Sequence, residues 1–132
     1  MRITFVLPSY PFRPAGGFRV VYEYANNFVA RGHRVTVVHP AILPRKPLPK
    51  GLLKKARRLA RLILNSVLPP KPPKMIDWQF VDNRVSMLYV PNLNEKYISD
   101  GDAVIATAWH TADYVYTYSP NKGEKFYFIQ SY

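Results

Sequence analysis

Two short patterns in the sequence have residue types that could take part in chemistry, and the first is a glycine pair. Gly16-Gly17 follows an apolar run and opens a segment with helical periodicity. Glycines at such a position let the backbone approach a ligand closely, and the N–H groups of the following helix attract phosphate. A glycine pair is also a weak motif that can do no more than let a loop turn into a helix. The pair therefore predicts either a phosphate contact or a simple turn.

The second pattern is a histidine that follows an apolar run. His110 lies just beyond Ala103–Ala106, at the predicted carboxyl end of a strand, where α/β sheets place their ligands. A lone histidine is more often an ordinary surface or packing residue, so both interpretations stay open. His33 and His39 fall at a turn and at a strand end, which favours structural roles. The three histidines have no cysteine or carboxylate at ligand spacing, so no metal site is expected.

Strands and helices alternate along the chain and must position these residues. Val20, Val21, Tyr24, Ala25, Phe28 and Val29 share one face of a helix after Gly17, and Gly32 stands where a helix cap belongs. A second helix is predicted over Thr111–Tyr118, and a helical turn within Pro91–Tyr97. The predicted strands are Ile3–Leu7, Arg34–His39, Trp78–Val81, Val85–Val90, Ala103–Ala106 and Lys125–Gln130, with a hairpin around Asp82-Asn83. This order predicts one α/β domain over residues 1–132 with a doubly wound, mainly parallel sheet.

A dinucleotide site is the obvious rival for such a sheet, and two features argue against it. The chain has no G-x-G-x-x-G, and its second predicted strand ends Val38-His39-Pro40, without an acidic residue to hold a ribose hydroxyl. The phosphate loop G-x-x-x-x-G-K-[ST] is absent as well. Asp100 and Asp102 lie in a turn, which favours a structural role. No carboxylate pair suggests a hydrolase.

The net charge of +11 is concentrated in one insert. Residues 45–74 hold ten of the 19 Lys and Arg and no Asp or Glu, so the rest of the chain is nearly neutral. Prolines flank a predicted amphipathic helix over Gly51–Leu68, which has an apolar side and a basic side. The candidate contacts with an anion or a membrane are Lys50, Lys54, Lys55, Arg57, Arg58 and Arg61. Docking on an anionic membrane and simple packing on the sheet remain alternatives. Nucleic acid is disfavoured, because no aromatic residues interleave with the basic run and no recognition motif appears.

The composition and the apolar runs limit the chemistry and the cellular location that can be expected for the chain. The chain has no cysteine, which excludes disulfides and thiolate chemistry. The N-terminal apolar run is too short for a signal peptide, and no other uncharged run reaches the length of a membrane span. The expected location is the cytoplasm, either free or as a peripheral protein on the inner face of the membrane.

Four segments, in order, resemble GT-B glycosyltransferases of family four. Gly16–Ala25 and Arg31–Val37 are similar to the helix of that family and its "RGH-x-V" approach to the second strand. Asp100–Thr107 looks like its "D-x-D-x-V-x-A-T" strand, and Lys125–Tyr132 like its strand carrying "F-I-Q-x-Y". The resemblance covers residues 1–40 and 99–132, while the middle does not match specifically. It implies a Rossmann-like N-terminal half of a two-domain GT-B architecture.

The resemblance also implies a function. A hexosyl-type enzyme would transfer a sugar from a nucleotide-sugar donor to a glycan or lipid-linked acceptor, with retention of configuration and without a bound metal or cofactor. Gly16 and Gly17 would face the donor diphosphate, and His110 would contact the donor sugar. The family's donor-binding Glu-x7-Glu signature belongs to a C-terminal domain absent from these residues, so the chain alone is expected to be inactive. The alternative from another class is a non-catalytic α/β module that docks on anionic membranes.

Overall fold

Five parallel strands form a single sheet in the computed structural model, which describes residues 1–11, 13–41, 57–61, 63 and 76–130. The strands are β1 (Arg2–Val6), β2 (Arg34–Pro40), β3 (Ser86–Val90), β4 (Ala103–Ala106) and β5 (Glu124–Tyr127), and their order across the sheet is β3-β2-β1-β4-β5. The helices are α1 (Gly16–Ala30) and α2 (Trp109–Thr117), with short 3-10 turns at Glu95–Tyr97 and Pro120–Lys122. Residues 57–61 and 63 are also helical. The predicted α/β class with a parallel sheet is confirmed.

Strand β1 lies at the centre, and its two faces are covered by different helices. It pairs in parallel with β2 and with β4. Phe5 of β1 belongs to a buried apolar cluster with Val21 and Ala25 of α1. Val6, the next residue, faces the other way, into a cluster with Val115 of α2. Side chains alternate along a strand, so successive residues of β1 join the sheet to a helix on each side.

Helix α1 ends where the sequence predicts. Arg31 is the C-cap, and Gly32 follows with φ of 88°. Glycine adopts this left-handed conformation without the steric cost of a Cβ atom, so it terminates the helix and redirects the chain. The N–H of Gly32 donates to the carbonyl of Val29 at 3.0 Å. Strand β2 begins two residues after Gly32.

The predicted strand Trp78–Val81 and its hairpin are wrong. These residues form an irregular segment that α1 holds by side-chain contacts: Asn26 Nδ2 donates to the carbonyl of Phe80 at 2.9 Å, and Asn26 Oδ1 accepts from the N–H of Asp82 at 2.8 Å. A side chain of α1 thus takes backbone groups that a sheet ladder would need. Strand β3 pairs in parallel with β2. A two-residue hairpin joins antiparallel strands, so β3 is not part of a hairpin.

Smaller differences concern element boundaries. Helix α2 begins two residues earlier than predicted, and β5 is shorter than the predicted Lys125–Gln130 and exposed at all four residues. The predicted turn role of the two aspartates is confirmed, because Asp102 accepts from the N–H of Arg2 at 2.6 Å and Asp100 accepts from Lys122 Nζ at 3.0 Å. Of the predicted helix Gly51–Leu68, only residues 57–61 and 63 are described. Among the described residues, no helix has the length and apolar character needed to cross a membrane.

Replacing Gly123 by alanine is expected to lower the free energy of unfolding by about 2–4 kcal/mol. Gly123 has φ of 110°, and an added Cβ would lie 2.6 Å from backbone atoms of Asp102 and Ala103. Urea denaturation measures the change. Gly16→Ala is the matched control: a Cβ at Gly16 would have no atom within 4 Å, so that variant should lose no stability. Equal stability of the two variants would contradict this account of Gly123.

Candidate functional site

The carboxyl edge of the sheet between β1 and β4 is the candidate site. Val6 and Ala106 pair at the ends of these neighbouring strands. The chain then leaves β1 towards α1 on one face and leaves β4 towards α2 on the other. Connections that diverge in this way open a crevice, and open α/β sheets bind their ligands there. Gly16-Gly17 and His110 lie in the two segments that leave this edge.

The N-terminus of α1 offers unsatisfied backbone donors. Its N-cap, Ala15, is extended with φ of −141° and ψ of 130°, and no side chain caps the helix. The first turn contains no acidic residue. The first intrahelical N–H, that of Arg19, donates to the carbonyl of Ala15 at 3.0 Å. The N–H groups before it and the positive end of the helix dipole are therefore arranged to attract an anion.

Neither glycine at this helix start is required by backbone conformation. Gly16 and Gly17 are the first two helical residues, and among the described residues positive φ occurs only at Gly32 and Gly123. A Cβ at Gly16 would meet nothing within 4 Å, and a Cβ at Gly17 would meet only the flexible end of Gln130, at 2.7 Å. The turn interpretation thus finds no structural requirement for glycine at Gly16. The space in front of it remains open to a ligand.

Two buried threonines position His110. Thr107 Oγ1 donates to the carbonyl of Val6 at 2.8 Å, which ties the end of β4 to the end of β1. Thr111 Oγ1 accepts from the N–H of Thr107 at 3.1 Å and from that of Ala108 at 3.0 Å, so it shapes the start of α2. His110 is the second residue of α2 and is half-buried. Sequence reasoning missed both threonines, although a hydroxyl residue in the first turn of a predicted helix is a capping signal.

The sequence also gave no sign of an aromatic cluster around His39. A hydrogen bond of 2.8 Å joins the Tyr22 hydroxyl to Nε2 of His39, which is 1% exposed. The His39 ring stacks on Tyr89 at 5.3 Å between ring centroids and meets Tyr10 edge-on at 5.5 Å. Tyr10 precedes the glycine pair and Tyr22 follows it. His39 therefore holds the β1–α1 loop and helix α1 on the end of β2.

This cluster is neutral at physiological pH. Burial lowers the pKa of His39 to about 4, and backbone groups of Leu88 and Val37 oppose the shift only in part. Burial also raises the pKa of Tyr22, and burial together with the neighbouring Tyr10 raises the pKa of Tyr89 to about 12. The predicted structural role of His39 agrees with these contacts. The hydrogen-bonded pair of His39 and Tyr22 also occupies the end of β2, which is the position where dinucleotide-binding sheets hold the ribose.

In the described part of the basic insert, the apolar side chains are exposed. Leu59 is 56% exposed and Ile63 is 59% exposed, so the alternative in which the apolar side packs on the sheet does not hold at these two positions. Arg57 and Arg61 are also exposed. Arg58 is half-buried. Burial raises the pKa of the nearby Tyr114, and the charge of Arg58 opposes part of that rise. Lys50, Lys54 and Lys55 lie outside the described residues.

Comparisons with protein-family models, with curated proteins and with solved structures find no match for this chain. Within the described ranges, no three His, Asp or Glu side chains group closely enough to hold a metal ion.

The burial of His39 predicts a loss of stability in acid. An unfolded chain binds a proton near the ordinary pKa of 6.5, whereas the folded chain does so only near 4. The free energy of unfolding should therefore fall by about 3 kcal/mol as pH drops through this window. Urea denaturation at a series of pH values measures the slope.

His39→Phe should flatten that slope, because phenylalanine keeps a ring in the cluster and does not titrate. His33→Gln is the control, since His33 lies at a turn and is not part of the cluster; it should keep the wild-type slope. An unchanged slope in His39→Phe would mean that His39 is not the group responsible.

Proposed function

We propose that the chain forms the Rossmann-like, acceptor-side domain of a retaining GT-B glycosyltransferase that uses a nucleotide-sugar donor. One observation carries the proposal: the uncapped, glycine-led start of α1 and the threonine-fixed start of α2 flank the same crevice between β1 and β4. The strand order β3-β2-β1-β4-β5 supports it, because doubly wound nucleotide-binding sheets have this order. The ordered resemblance at residues 1–40 and 99–132 supplies the reaction class.

Each group at the crevice has a role in the proposed reaction. The bond between the sugar and the donor diphosphate breaks, the diphosphate leaves with the electron pair, and a bond forms to an acceptor hydroxyl that loses its proton. The N–H groups at Gly16 and Gly17 stabilise the charge that develops on the leaving diphosphate. His110 contacts the donor sugar from the start of α2. No step requires a bound metal.

The proposal requires a second, donor-holding domain, in the same polypeptide or in a partner subunit. A donor that contacts only one wall of a cleft is bound weakly, because two walls are needed to bury most of a small ligand. The intact mass of the protein purified from its source distinguishes these arrangements. A mass two to three times 15.3 kDa would mean that the donor domain is in the same chain, and a mass near 15.3 kDa would mean that a partner subunit supplies it.

Gly16→Ala is expected to weaken diphosphate binding without loss of fold. The methyl group has open space in the structure, and alanine at a helical position adds up to about 1 kcal/mol of stability, so lost binding would come from a blocked approach to the helix N-terminus. NMR titration of the chain with UDP and with GDP measures the shifts of the N–H signals of residues 16–18.

Pro14→Ala, in the exposed loop before the helix, is the matched control and should bind as the wild type does. If neither nucleotide shifts the signals of residues 16–18 in the wild type, these N–H groups do not contact the diphosphate in this chain. If Gly16→Ala binds like the wild type, close backbone approach at Gly16 is excluded.

A second candidate function, docking on anionic membranes, is favoured by the exposure of Leu59 and Ile63 beside Arg57 and Arg61. A helix with an open apolar side and a flanking basic side fits the interface of a bilayer. The cytoplasmic leaflet is anionic and attracts basic residues. Docking is compatible with the transferase and would bring a lipid-linked acceptor to the crevice.

Arg57→Gln/Arg61→Gln should weaken binding to vesicles of phosphatidylserine and phosphatidylcholine about 30-fold, because each basic group near an anionic surface contributes about 1 kcal/mol. At high salt the attraction between the arginines and the lipid is weakened, and the insertion of apolar side chains remains. Leu59→Ser/Ile63→Ser should therefore weaken vesicle binding further under that condition. Flotation or tryptophan fluorescence measures the partitioning.

Arg31→Gln/Arg34→Gln changes the net charge equally at exposed positions of the amino edge and should keep wild-type affinity. Equal losses in the two arginine pairs would indicate a general charge effect and sink the claim of a docking helix.

A further inference from the structure

A cavity of about 380 Å³ lies between the loop after β3 and the C-terminal half of α2. Residues 92–95, Tyr114, Thr117 and Tyr118 line it. This volume falls in the range of small-molecule sites, roughly 300–1,000 Å³. None of these residues belongs to the glycine-led helix start or to the basic insert.

Hydrogen bonds fix the walls before any ligand arrives. The hydroxyl of Tyr118 donates to the carbonyl of Leu93 at 2.7 Å, and both residues are buried. Asn92 Oδ1 accepts from the N–H of Asn94 at 2.9 Å, and Asn94 Oδ1 accepts from the N–H of Lys96 at 3.1 Å. The loop is therefore held in one shape, and a preformed site costs little ordering on binding.

The lining groups of the cavity that keep hydrogen-bonding capacity indicate which kind of ligand it would bind. Because Asn92 and Asn94 use their Oδ1 atoms within the loop, their Nδ2 groups remain as donors. Glu95 accepts from Ser119 N–H and Oγ at 3.1 and 3.0 Å, and these bonds lower its pKa, so it is an ionised acceptor with lone pairs to spare. The ring of Tyr114 lies beside these groups.

Such a set fits a polyhydroxylated ring better than other ligands. A sugar hydroxyl accepts from an amide and donates to a carboxylate, while the C–H face of the ring packs on an aromatic side chain. An anionic ligand would meet the charge of Glu95. A wholly apolar ligand would leave the amides and the carboxylate without water or a partner.

The cavity lies in line with His110. Tyr114 is four residues after His110 and therefore on the same face of α2, about 6 Å further along the helix axis. We propose that the cavity binds one sugar residue of a saccharide and, resting on the proposed function, that this saccharide is the acceptor.

NMR titration of the chain with four methyl glycosides tests the proposal: the glucoside, the galactoside, the mannoside and the N-acetylglucosaminide. At least one should shift the signals of residues 92–95 and Tyr114 at millimolar concentrations. If none does so up to the limit of solubility, the cavity is not a saccharide site.

Variants that keep the loop intact sharpen the result. Asn94→Asp preserves the acceptor for the N–H of Lys96 and removes the N–H donors of its own Nδ2 group, and Tyr114→Leu removes the aromatic face. Each should weaken glycoside binding about five- to tenfold, as expected for one lost hydrogen bond or one lost ring contact. Tyr116→Leu, on the same helix but 81% exposed and outside the cavity, should bind as the wild type does. Wild-type affinity in both cavity variants would overturn the proposal.

The outcome is independent of the nucleotide titration. Glycoside shifts at residues 92–95 without nucleotide shifts at residues 16–18 would support a saccharide site and count against the donor contact. Nucleotide shifts without glycoside shifts would leave the donor contact standing and remove the cavity from the acceptor path.

Discussion

The structure depends on the pairing of β1 with a parallel neighbour on each side. β2 and β4 satisfy both hydrogen-bonding edges of β1, and α1 and α2 bury its two faces. A strand with no remaining free edge or face cannot shift its register without breaking every layer at once. The ends of β1 and β4 are thereby fixed side by side. The crevice above them is a consequence of this pairing.

Two kinds of anchor join the ends of the strands to the elements that would meet a ligand. On the α2 side, Thr107 and Thr111 fix the first turn by short bonds to the strand ends. On the α1 side, His39 fixes the helix by its hydrogen bond with Tyr22 and the loop by its edge-on contact with Tyr10. The bond from Thr107 to Val6 spans 101 residues of the chain and the bond between Tyr22 and His39 spans 17, so both kinds of anchor join different elements of the fold. Both act at the ends of strands, beside the starts of the two helices.

The parts of the fold that could be predicted from the sequence are those set by local pattern. Apolar runs marked β1, β2 and β4, and the spacing from Val20 to Val29 together with Gly32 marked α1, because period and cap chemistry are local properties. The segment at Trp78–Val81 was predicted wrongly because its backbone partners are side-chain atoms of Asn26, more than fifty residues away. The cluster around His39 was invisible for the same reason. At the site, Gly16, Gly17 and His110 were placed by pattern and resemblance, whereas the threonines and the cavity beside α2 became evident only from three-dimensional contacts.

Strand β5 gives the chain a physical property beyond its fold. Its four residues are exposed, Phe126 and Tyr127 among them, and in the described part of the chain no strand pairs with its outer edge. Open edges with apolar side chains tend to associate from molecule to molecule. The net charge of +11 opposes this by repulsion between copies, and dissolved salt screens that repulsion. Charge repulsion therefore opposes association of the isolated chain, and its tendency to precipitate should increase with ionic strength.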